Sequence, residues 1–339
     1  MRKHGRVIFQ RSLFIYTFLQ IFSFCSAFSR FLKNKIKIKI TITITITIKN
    51  KNKNKNKTKQ LKTNQTKKPT IVITGSSDGI GEEFAYNYAK QDFNIVLISR
   101  TQSKLERVAE KCKEINPKIE TIVHSVDLTL PRSDVEEDIQ SLLEPLTIST
   151  LINNVGMAVD LEQFHLQPES PTFKTLTLNV KVQLWLTKWV IKRWVKNDSK
   201  GTILNLSSVS GCVGIPYLAV YSSTKGFTDT WSRSVVLELK HLKKDKDIVI
   251  HSLQPFFVST SMTKIPVLPT VPHAKVIPTA CQRQIGTNVS LGPYWIHSLL
   301  GIFLRSFPSV SIPVMRIVMI ILTKWKKIHE KKKKKKKVN

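Results

Sequence analysis

A tyrosine and a lysine four residues apart, Tyr221 and Lys225, have the spacing in this sequence that best suits acid-base chemistry. On a helix, residues four apart lie on the same face, so the two side chains would project together. A free tyrosine, with a pKa of about 10, is a poor acid-base catalyst at neutral pH, and an adjacent ammonium group should lower that pKa toward the working range. The pair therefore predicts a proton donor, Tyr221, tuned by Lys225.

Ser208 precedes Tyr221 by thirteen residues and stands at the end of an apolar, strand-like run, Thr202–Leu206. A hydroxyl group there could hydrogen-bond the carbonyl oxygen that receives the proton from the tyrosine. The tyrosine-lysine spacing occurs by chance in many proteins, and the added serine makes the pattern specific for carbonyl reduction. Ser207 is the competing candidate, and its structural interpretation is a cap at the strand end.

A glycine-rich turn, T-G-S-S-D-G-I-G at Thr74–Gly81, follows an apolar run and begins a helical pattern. Glycines let the backbone turn tightly and approach a pyrophosphate, whose charge would lie against the N–H groups of the helix start. The predicted cofactor-binding residues of this turn are Gly75, Ser76, Ser77, Asp78, Gly79, Ile80 and Gly81. The alternative interpretation is a turn that serves only to pack the helix on the sheet.

The second strand-like run is followed by Arg100, and the stretch Asn94–Lys104 contains no Asp or Glu. In dinucleotide-binding folds an acidic residue near this point binds the ribose 2′-hydroxyl of NAD. A guanidinium group fits a 2′-phosphate instead, so Arg100 favours NADPH as the cofactor. The alternative is an arginine that only faces solvent.

Strand-like and helix-like segments alternate from Pro69 onward. The predicted strands are Thr70–Thr74, Asn94–Ser99, Thr121–Val126, Thr150–Asn153, Gly201–Ser207 and Ile248–Leu253. The predicted helices lie near Ile80–Lys90, Gln102–Glu114, Asp134–Leu143, Phe173–Val195 and Val220–Leu242. This alternation is typical of the α/β class and predicts a Rossmann-type doubly wound parallel sheet with helices on both faces.

The net charge of the 339-residue chain is +31, from 54 Lys and Arg against 23 Asp and Glu. Residues 1–68 contain 18 basic and no acidic residues, and residues 324–339 contain ten lysines and Glu330, so the intervening segment is nearly neutral. Two basic tails suggest a polyanionic surface beside them, either an anionic membrane or RNA. Apart from Trp325, neither basic run is interleaved with aromatic residues, so nucleic-acid binding is not the predicted function.

The uncharged apolar stretch Leu13–Ser29 can just cross a hydrocarbon layer about 30 Å thick. The basic residues after it favour an anchor with the following chain in the cytosol over a cleaved signal peptide, and a mitochondrial presequence is a third interpretation. The expected organisation is an anchor or signal at 1–32, a basic low-complexity linker at 33–68, a dinucleotide-binding domain at 69–290, an apolar membrane-associated region or substrate lid at 291–323, and a lysine-rich tail at 324–339.

The four cysteines are far apart in the sequence, and no histidine stands at metal-ligand spacing from them. They are Cys25, Cys112, Cys212 and Cys281. This pattern predicts neither a metal site nor a redox pair, and it suits a reducing compartment.

The sequence resembles the short-chain dehydrogenase/reductase superfamily over roughly Lys68–Pro266. The resemblance rests on the glycine turn, on N-N-x-G at Asn153–Gly156, on Ser208 and on the spacing of Tyr221 and Lys225. It implies that a hydride passes from the nicotinamide of NADPH to a ketone carbon while the tyrosine delivers a proton to the oxygen. The serine would orient the carbonyl group, and the lysine would hold the nicotinamide ribose and tune the tyrosine.

The same resemblance implies roles for further residues. Asn179 would be a fourth catalytic residue, holding a water that links Lys225 to solvent, and Asn153 would brace the central strands. Asp127 would lie beside the adenine. Cofactor contacts are also implied for Asn154, Tyr221, Lys225 and Val258.

Within the superfamily the chain looks most like the membrane-bound very-long-chain 3-oxoacyl-CoA reductases and their 17β-hydroxysteroid dehydrogenase relatives. Three features carry this likeness: the stretch Ser252–Lys264, G-P-Y-W-I-H at Gly292–His297, and the apolar C-terminal region. The likeness implies a long-chain 3-oxoacyl-CoA of fatty-acid elongation as substrate, with a steroid ketone as the alternative. The expected partners are this substrate, an endoplasmic-reticulum membrane, an elongation complex and a second copy of the chain.

The last four residues, K-K-V-N at Lys336–Asn339, fit the K-K-x-x pattern of endoplasmic-reticulum retrieval. With the two apolar regions they predict an endoplasmic-reticulum membrane protein whose catalytic domain faces the cytosol. Two hypotheses come from other classes: a non-catalytic cofactor-binding scaffold, which would not need the whole Ser-Tyr-Lys-Asn set, and a basic-tailed binder of RNA or membrane surfaces.

Overall fold

Seven strands form one sheet in the computed structural model, which describes residues 68–321 apart from 131 and 308, together with residue 323. The strands are β1 (Thr70–Thr74), β2 (Asn94–Ser99), β3 (Thr121–Ser125), β4 (Ile148–Asn153), β5 (Gly201–Leu206), β6 (Ile248–Leu253) and β7 (Ser290–Leu291). All pairings are parallel, in the order β3-β2-β1-β4-β5-β6-β7. The chain thus winds outward in both directions from the β1–β4 pair, which confirms the predicted doubly wound sheet.

Helices cover both faces of the sheet, as predicted. They are α1 (Gly79–Ala89), α2 (Gln102–Ile115), α3 (Arg132–Leu143), α4 (Glu169–Leu176), α5 (Val182–Lys196), α6 (Ala219–His241), α7 (Val276–Gln282), α8 (Trp295–Ser306) and α9 (Ser309–Ile321). Short 3₁₀ helices at Phe164–Leu166 and Val209–Cys212 lie in the connections.

Alternate residues of the central strands point to opposite faces and divide the core into two layers. On one face, Ile71 and Ile73 of β1 pack with Phe84 of α1 and Leu105 of α2. On the other face, Val72 packs with apolar residues of α3 and α5. Because both faces are covered, the strands consist of continuous apolar runs rather than alternating ones.

The strand bounds agree with the sequence prediction to within two residues, but the sequence analysis missed β7. β4 begins two residues earlier than expected, and β3 and β5 each end one residue earlier. β7 is defined by the pairing of Ser290 with Ser252 and of Leu291 with Leu253. Two residues are too few to show either an apolar run or an alternation, so the sequence carries no signal for this strand.

The single helix predicted near Phe173–Val195 consists of α4, a π turn at Thr177–Lys181, and α5. A π turn widens the helix locally without breaking it, so the helical periodicity gives no warning of it. The turn matters here because Asn179 lies at its centre.

The C-terminal segment packs on the domain through the inner faces of α8 and α9. Leu304, Met315 and Met319 from these helices form an apolar cluster with Val209 and Ile215. Within the described residues, no helix is by itself long and apolar enough to cross a membrane. α8 and α9 taken together have the length and composition for it, with a bend of 119° between them.

Several parts of the predicted organisation lie outside the described residues. These are the anchor or signal at 1–32, the linker up to residue 67, and the lysine-rich tail at 324–339 with its K-K-V-N end. The proposed boundaries between the segments stay predictions.

Candidate active site

Ser208 lies two residues beyond the end of β5 and stands at the start of the 3₁₀ helix Val209–Cys212. Its hydroxyl oxygen accepts the backbone N–H of Ser210 at 3.1 Å. The next N–H, of Val209, donates to the backbone carbonyl of Pro255 at 3.0 Å. The serine is therefore held at the carboxyl edge of the sheet, between β5 and the segment after β6.

Tyr221 and Lys225 lie in the first turns of α6 and meet Ser208. The phenol of Tyr221 is hydrogen-bonded to Ser208. The ammonium nitrogen of Lys225 lies 5.5 Å from the centre of the tyrosine ring, and the lysine is only 4% exposed. The structure thus brings the three predicted catalytic side chains together.

Ser207, the competing candidate, is engaged elsewhere. Its buried hydroxyl donates to the backbone carbonyl of Lys225 at 2.7 Å. That bond ties the end of β5 to α6. The geometry therefore gives Ser207 a structural role and leaves Ser208 beside Tyr221.

Burial governs the charge of Lys225. Its ammonium group donates to the backbone carbonyl of Leu206 at 2.6 Å. Loss of water contact disfavours the charged form and lowers the pKa of Lys225 to about 8. The side chain is therefore mainly protonated at neutral pH and loses its proton in mildly alkaline solution.

The pKa of Tyr221 moves in the direction opposite to the one expected from the sequence. Burial raises it to about 12, and the hydrogen bond with Ser208 offsets only part of that rise. The lowering expected from Lys225 is not found, because burial disfavours the charged phenolate and the nearby ammonium group does not offset that effect. Tyr221 is consequently protonated at neutral pH, the state that a proton donor needs.

Asn179 lies in the π turn with its side chain fully bonded. Its amide oxygen accepts the N–H of Met157 at 2.9 Å, and its amide nitrogen donates to the Met157 carbonyl at 2.9 Å and to Thr224 at 3.0 Å. A Cβ atom added at Gly156 would lie 3.0 Å from this amide oxygen and 3.5 Å from the ammonium nitrogen of Lys225. Asn179 is thus close to the lysine, and its part in a proton relay stays a prediction.

Gln183 is a neighbour of the site that the sequence analysis did not identify. Its side-chain amide donates to the backbone carbonyl of Asn179 and to the hydroxyl of Thr228, the latter at 2.8 Å. A π turn changes the partners of the helix carbonyls, and here a side chain supplies a partner. Gln183 follows Asn179 by four residues, which would place the two on one helix face. Because this spacing is common in helices, it did not single out Gln183.

Asn153 joins the central strands to the helices behind them. Its amide nitrogen donates to Thr187 of α5 and to the amide oxygen of Asn205 on β5, both at 2.8 Å. Asn205 in turn donates to Ser232 of α6 at 2.9 Å. This buried polar chain fits the expected bracing role, and it holds α6 against β5.

The glycine turn has a backbone shape suited to a dinucleotide. Gly75 and Gly79 have φ angles of +66° and +61°, in the left-handed region that favours glycine. A Cβ atom at Gly81 would lie 2.4 Å from the carbonyl oxygen of Gly75, a distance that no side chain tolerates. Asn154 fixes the turn by donating to the carbonyls of Thr74 and Gly75, at 3.1 and 2.9 Å.

The remaining residues of the turn fit a bound pyrophosphate. The buried hydroxyl of Ser76 has no hydrogen-bond partner among the described residues, and Ser77 bonds to the last residue of β2 at 2.9 Å. The Asp78 carboxylate accepts the hydroxyl of Ser261 at 2.7 Å, and Ile80 packs against the core. A buried donor without a partner beside a glycine cradle at a helix start is what a phosphate group would satisfy.

Arg100 and Asp127 lie just after β2 and β3, at the same edge of the sheet. Hydrogen bonds from Thr129 and, more weakly, the charge of Arg100 hold the pKa of Asp127 below its usual range. Arg100 itself is exposed. The predicted phosphate partner and the predicted adenine neighbour are therefore adjacent.

Two basic residues of α2 near the glycine turn were not singled out from the sequence. Lys104 lies 3.6 Å from the Asp78 carboxylate, and Arg107 donates to the carbonyl of Ser77 at 3.4 Å and to Glu82 at 2.7 Å. Their three-residue spacing places both side chains on one helix face. That spacing was the feature of the sequence from which a second basic group near the cofactor could have been predicted. The ion pair of Lys104 with Asp78, at 3.6 Å, is longer than that of Arg107 with Glu82, at 2.7 Å. Lys104 is therefore the better placed of the two to contact a phosphate group of the cofactor.

Val258 lies in the segment after β6 that approaches the glycine turn. It is buried, and its carbonyl accepts the hydroxyl of Thr263 at 2.6 Å. Thr260 of the same segment lies close to the turn: a Cβ atom added at Gly79 would lie 3.1 Å from the methyl carbon of Thr260. The segment thus borders the predicted cofactor site.

Arg305, at the end of α8, was also not identified from the sequence. Its guanidinium group contacts the thiol sulfur of Cys212 at 2.9 Å and the side-chain oxygen of Gln254. Cys212 ends the 3₁₀ helix that follows Ser208, and Gln254 follows β6. Helix α8 therefore contacts both segments that border the catalytic serine.

This fold and this site define a dinucleotide-dependent oxidoreductase of the doubly wound α/β class. The model of the short chain dehydrogenase family matches residues 69–266, and the chain belongs to this family. It is 35% identical over 243 residues to the very-long-chain 3-oxoacyl-CoA reductase of Bos taurus, which covers 70% of this chain and 75% of that protein. It is 38% identical over 235 residues to very-long-chain 3-oxoacyl-CoA reductase-A of Danio rerio, covering 68% and 71%.

Solved structures show the same fold. A short-chain dehydrogenase from Sphingobium yanoikuyae in complex with NADPH is 29% identical, with a TM-score of 0.58 over 64% of this chain and 84% of that one. The structure of a 7beta-hydroxysteroid dehydrogenase has a TM-score of 0.65 over 73% and 96% of the two chains. At 17% identity, the latter shows a shared fold alone.

This arrangement can donate the proton that carbonyl reduction requires. A bound nicotinamide would supply the hydride. Ser208 lies beside Tyr221, so a carbonyl oxygen bound between the two side chains would accept a hydrogen bond from the serine hydroxyl. Tyr221, protonated at neutral pH, donates to the same oxygen. The ammonium group of Lys225 then stabilises the phenolate that remains, in surroundings with little water to screen the attraction.

The first prediction concerns Tyr221 as proton donor. Tyr221→Phe removes the phenolic hydroxyl and little volume, so turnover should fall by at least about 100-fold while the dinucleotide still binds. Steady-state kinetics and a cofactor-binding titration measure the two effects. Activity within a few-fold of the unmodified chain would refute the assignment.

The second prediction concerns the pH dependence set by Lys225. Its pKa is lowered to about 8, so the ammonium group is present below that pH and lost above it. Carbonyl reduction should therefore decline as the pH rises through about 8, because the phenolate loses its stabilising cation. A profile of kcat against pH from 6 to 10 tests this. A rate that stays level up to pH 10 would contradict the role of the ammonium group.

Proposed function

We propose that this chain reduces long-chain 3-oxoacyl-CoA to 3-hydroxyacyl-CoA with NADPH, as a step of fatty-acid elongation. The observation that carries the proposal is the 34–38% identity, over about seven-tenths of the chain, to very-long-chain 3-oxoacyl-CoA reductases. The family match over residues 69–266 includes Ser208, Tyr221, Lys225 and Asn179, which a cofactor-binding scaffold without activity would not need.

An apolar cluster beside the catalytic serine supports a lipid substrate. Val209, next to Ser208, packs with Ile215 and with Leu304 and Met315 of the C-terminal helices. Leu161, Tyr217 and Phe256 pack on this cluster and are only partly buried, so an acyl chain would bury its methylene groups favourably against them. A steroid ketone is also apolar with one reactive carbonyl, so it is the second candidate.

Purified protein assayed with NADPH against a 3-oxoacyl-CoA chain-length series and a steroid ketone tests the proposal. We expect kcat/KM to rise with acyl length and to exceed the steroid value by at least about tenfold, since each further buried methylene group adds about 0.8 kcal/mol of binding. Tyr221→Phe is the control for adventitious activity. Preferential turnover of the steroid would overturn the acyl-CoA assignment and leave the reductase class intact.

NADPH, rather than NADH, is supported by the residues beyond the glycine turn. Arg100 stands after β2, where an acidic residue would otherwise bind a ribose hydroxyl, and Lys104 lies nearby on α2. Both offer positive charge to a 2′-phosphate. The structurally similar Sphingobium yanoikuyae enzyme has NADPH bound.

The third prediction concerns this cofactor choice. Arg100→Asp replaces a phosphate partner with a repelling charge and supplies an acceptor for a free 2′-hydroxyl. The NADPH/NADH ratio of kcat/KM should fall by at least about tenfold, equivalent to roughly 1.4 kcal/mol. The exposed Arg316→Asp on α9 is the matched control. An unchanged ratio in Arg100→Asp would remove this arginine from the cofactor site.

We place the protein at the endoplasmic-reticulum membrane with its catalytic domain in the cytosol. The sequence features that support this location are the apolar segment 13–29 and the positive charge after it. The chain should resist alkaline carbonate extraction, and a C-terminal tag should be digested by protease in intact microsomes. A tag protected until detergent is added would contradict this orientation. Association with an elongation complex and formation of a homodimer stay predictions.

A further inference from the structure

Gln183 is a buried polar side chain beside the active site. It lies in the first turn of α5 and is 4% exposed. Its amide nitrogen donates to the backbone carbonyl of Asn179 and to the hydroxyl of Thr228. The Thr228 hydroxyl donates its own proton to the Thr224 carbonyl at 3.0 Å, so it can only accept from Gln183. Because both partners are acceptors, only a group with two N–H donors fits between them.

The π turn at Thr177–Lys181 depends on bonds that an ordinary helical turn does not make. Within it, the N–H of Val182 donates to the carbonyl of Thr177, five residues earlier. Turns of this kind are rare and occur frequently at functional sites. A buried backbone carbonyl displaced from the regular pattern needs another hydrogen-bond partner. Gln183 supplies one for Asn179, so its side chain stabilises the turn in its wide form.

The shape of this turn decides where the side chain of Asn179 lies. That side chain is bonded to both backbone groups of Met157, at 2.9 Å each, and to Thr224. A Cβ atom at Gly156 would lie 3.0 Å from the Asn179 amide oxygen and 3.5 Å from the ammonium nitrogen of Lys225. A turn that tightened by one residue would therefore draw Asn179 away from the lysine.

Two side-chain amides attach the turn to α6. Asn179 donates to Thr224 at 3.0 Å, and Gln183 donates to Thr228, one helical turn further along, at 2.8 Å. The Thr224 hydroxyl in turn donates to the backbone carbonyl of Tyr221 at 2.7 Å. One attachment would leave the turn free to rotate against the helix, and the second one fixes its orientation.

We propose that Gln183 is a positioning residue for the reduction. It acts through Asn179, which it holds in the π turn against α6 and so beside the ammonium group of Lys225. The proposal rests on the reductase chemistry of the site and not on the identity of the ketone.

Two kinetic consequences follow if Gln183 is lost. A displaced Asn179 opens the space beside Lys225 to water, and water contact raises the pKa of a buried amine toward its ordinary value. In the intact site, burial lowers that pKa to about 8. An ammonium group that is hydrated and less firmly placed also stabilises the phenolate of Tyr221 less well. The rate should thus fall, and its alkaline decline should move to higher pH.

Gln183→Met tests the proposal, because methionine keeps the length of the side chain and removes both donors. We expect kcat to fall by at least about fivefold, with KM for NADPH and for the ketone within about twofold of the unmodified chain. The alkaline decline of kcat should move up by at least about 0.5 pH unit. The assay uses NADPH and whichever ketone the unmodified chain turns over, a 3-oxoacyl-CoA or a steroid. A failure of the acyl-CoA assignment would therefore leave this test intact.

Gln284→Met is the matched control. Gln284 lies between α7 and β7 and donates to the carbonyl of Ala280, four residues earlier, at 3.1 Å and to that of Gly292 at 3.3 Å. The same substitution there removes two bonds of the same kind, so it should lower the melting temperature but leave kcat and its pH profile unchanged. If Gln183→Met likewise changed only the melting temperature, its role would be purely structural and the proposal would be wrong.

Thr228→Val provides a second, milder variant, because it removes the hydroxyl that holds the far side of the Gln183 amide. It should move the alkaline decline of kcat in the same direction as Gln183→Met. In the Gln183→Met background it should have no further effect on kcat, since Thr228 acts through Gln183. An equal loss of kcat in both backgrounds would overturn the proposal. Should Gln183→Met not fold, an unmoved pH profile in Thr228→Val would overturn it as well.

Discussion

A buried ammonium group is the constraint on which this active site depends. Removing a charged amine from water is costly unless hydrogen bonds and favourable charges offset the loss. For Lys225 the closest compensation is the backbone carbonyl of Leu206, 2.6 Å away at the end of β5. The lysine can remain charged there only while β5 and α6 keep a fixed separation.

Polar bonds inside the core keep that separation. Ser207 links the strand end to the backbone of Lys225, and Asn205 links the middle of β5 to Ser232 of α6. Asn153 extends the chain of bonds to the neighbouring strand. A buried amide left without its partner costs about 1–3 kcal/mol, so these groups resist small shifts that apolar packing would tolerate. The polar core thus fixes the position of the proton donor.

The sequence predicted the parts of this structure that repeat or that have a required residue type. Strands such as β1 and β2 are long apolar runs, and the glycine turn needs φ angles that only glycine adopts readily. Contacts between segments that are distant in the chain could not be predicted from the sequence. The bond of Arg305 to Cys212 joins residues 93 apart, and nothing in the local pattern of either residue indicates it. The choice between Ser207 and Ser208 likewise depended on which of the two hydroxyl groups donates to the backbone of α6, and that contact is visible only in the structure.

The pKa of Tyr221 shows why residue types alone did not settle the chemistry. Tyrosine beside lysine predicted a lowered value, but the sequence does not measure desolvation, which raises it to about 12. Each unit by which this pKa exceeds the ambient pH costs about 1.4 kcal/mol whenever the phenolate must form. That cost falls on oxidation of an alcohol, which needs the phenolate as a base. Reduction starts from the protonated phenol instead and leaves the phenolate behind. Because a phenolate with so high a pKa is strongly basic, it takes up a proton again before the next turnover, so the buried site keeps its proton donor loaded at neutral pH.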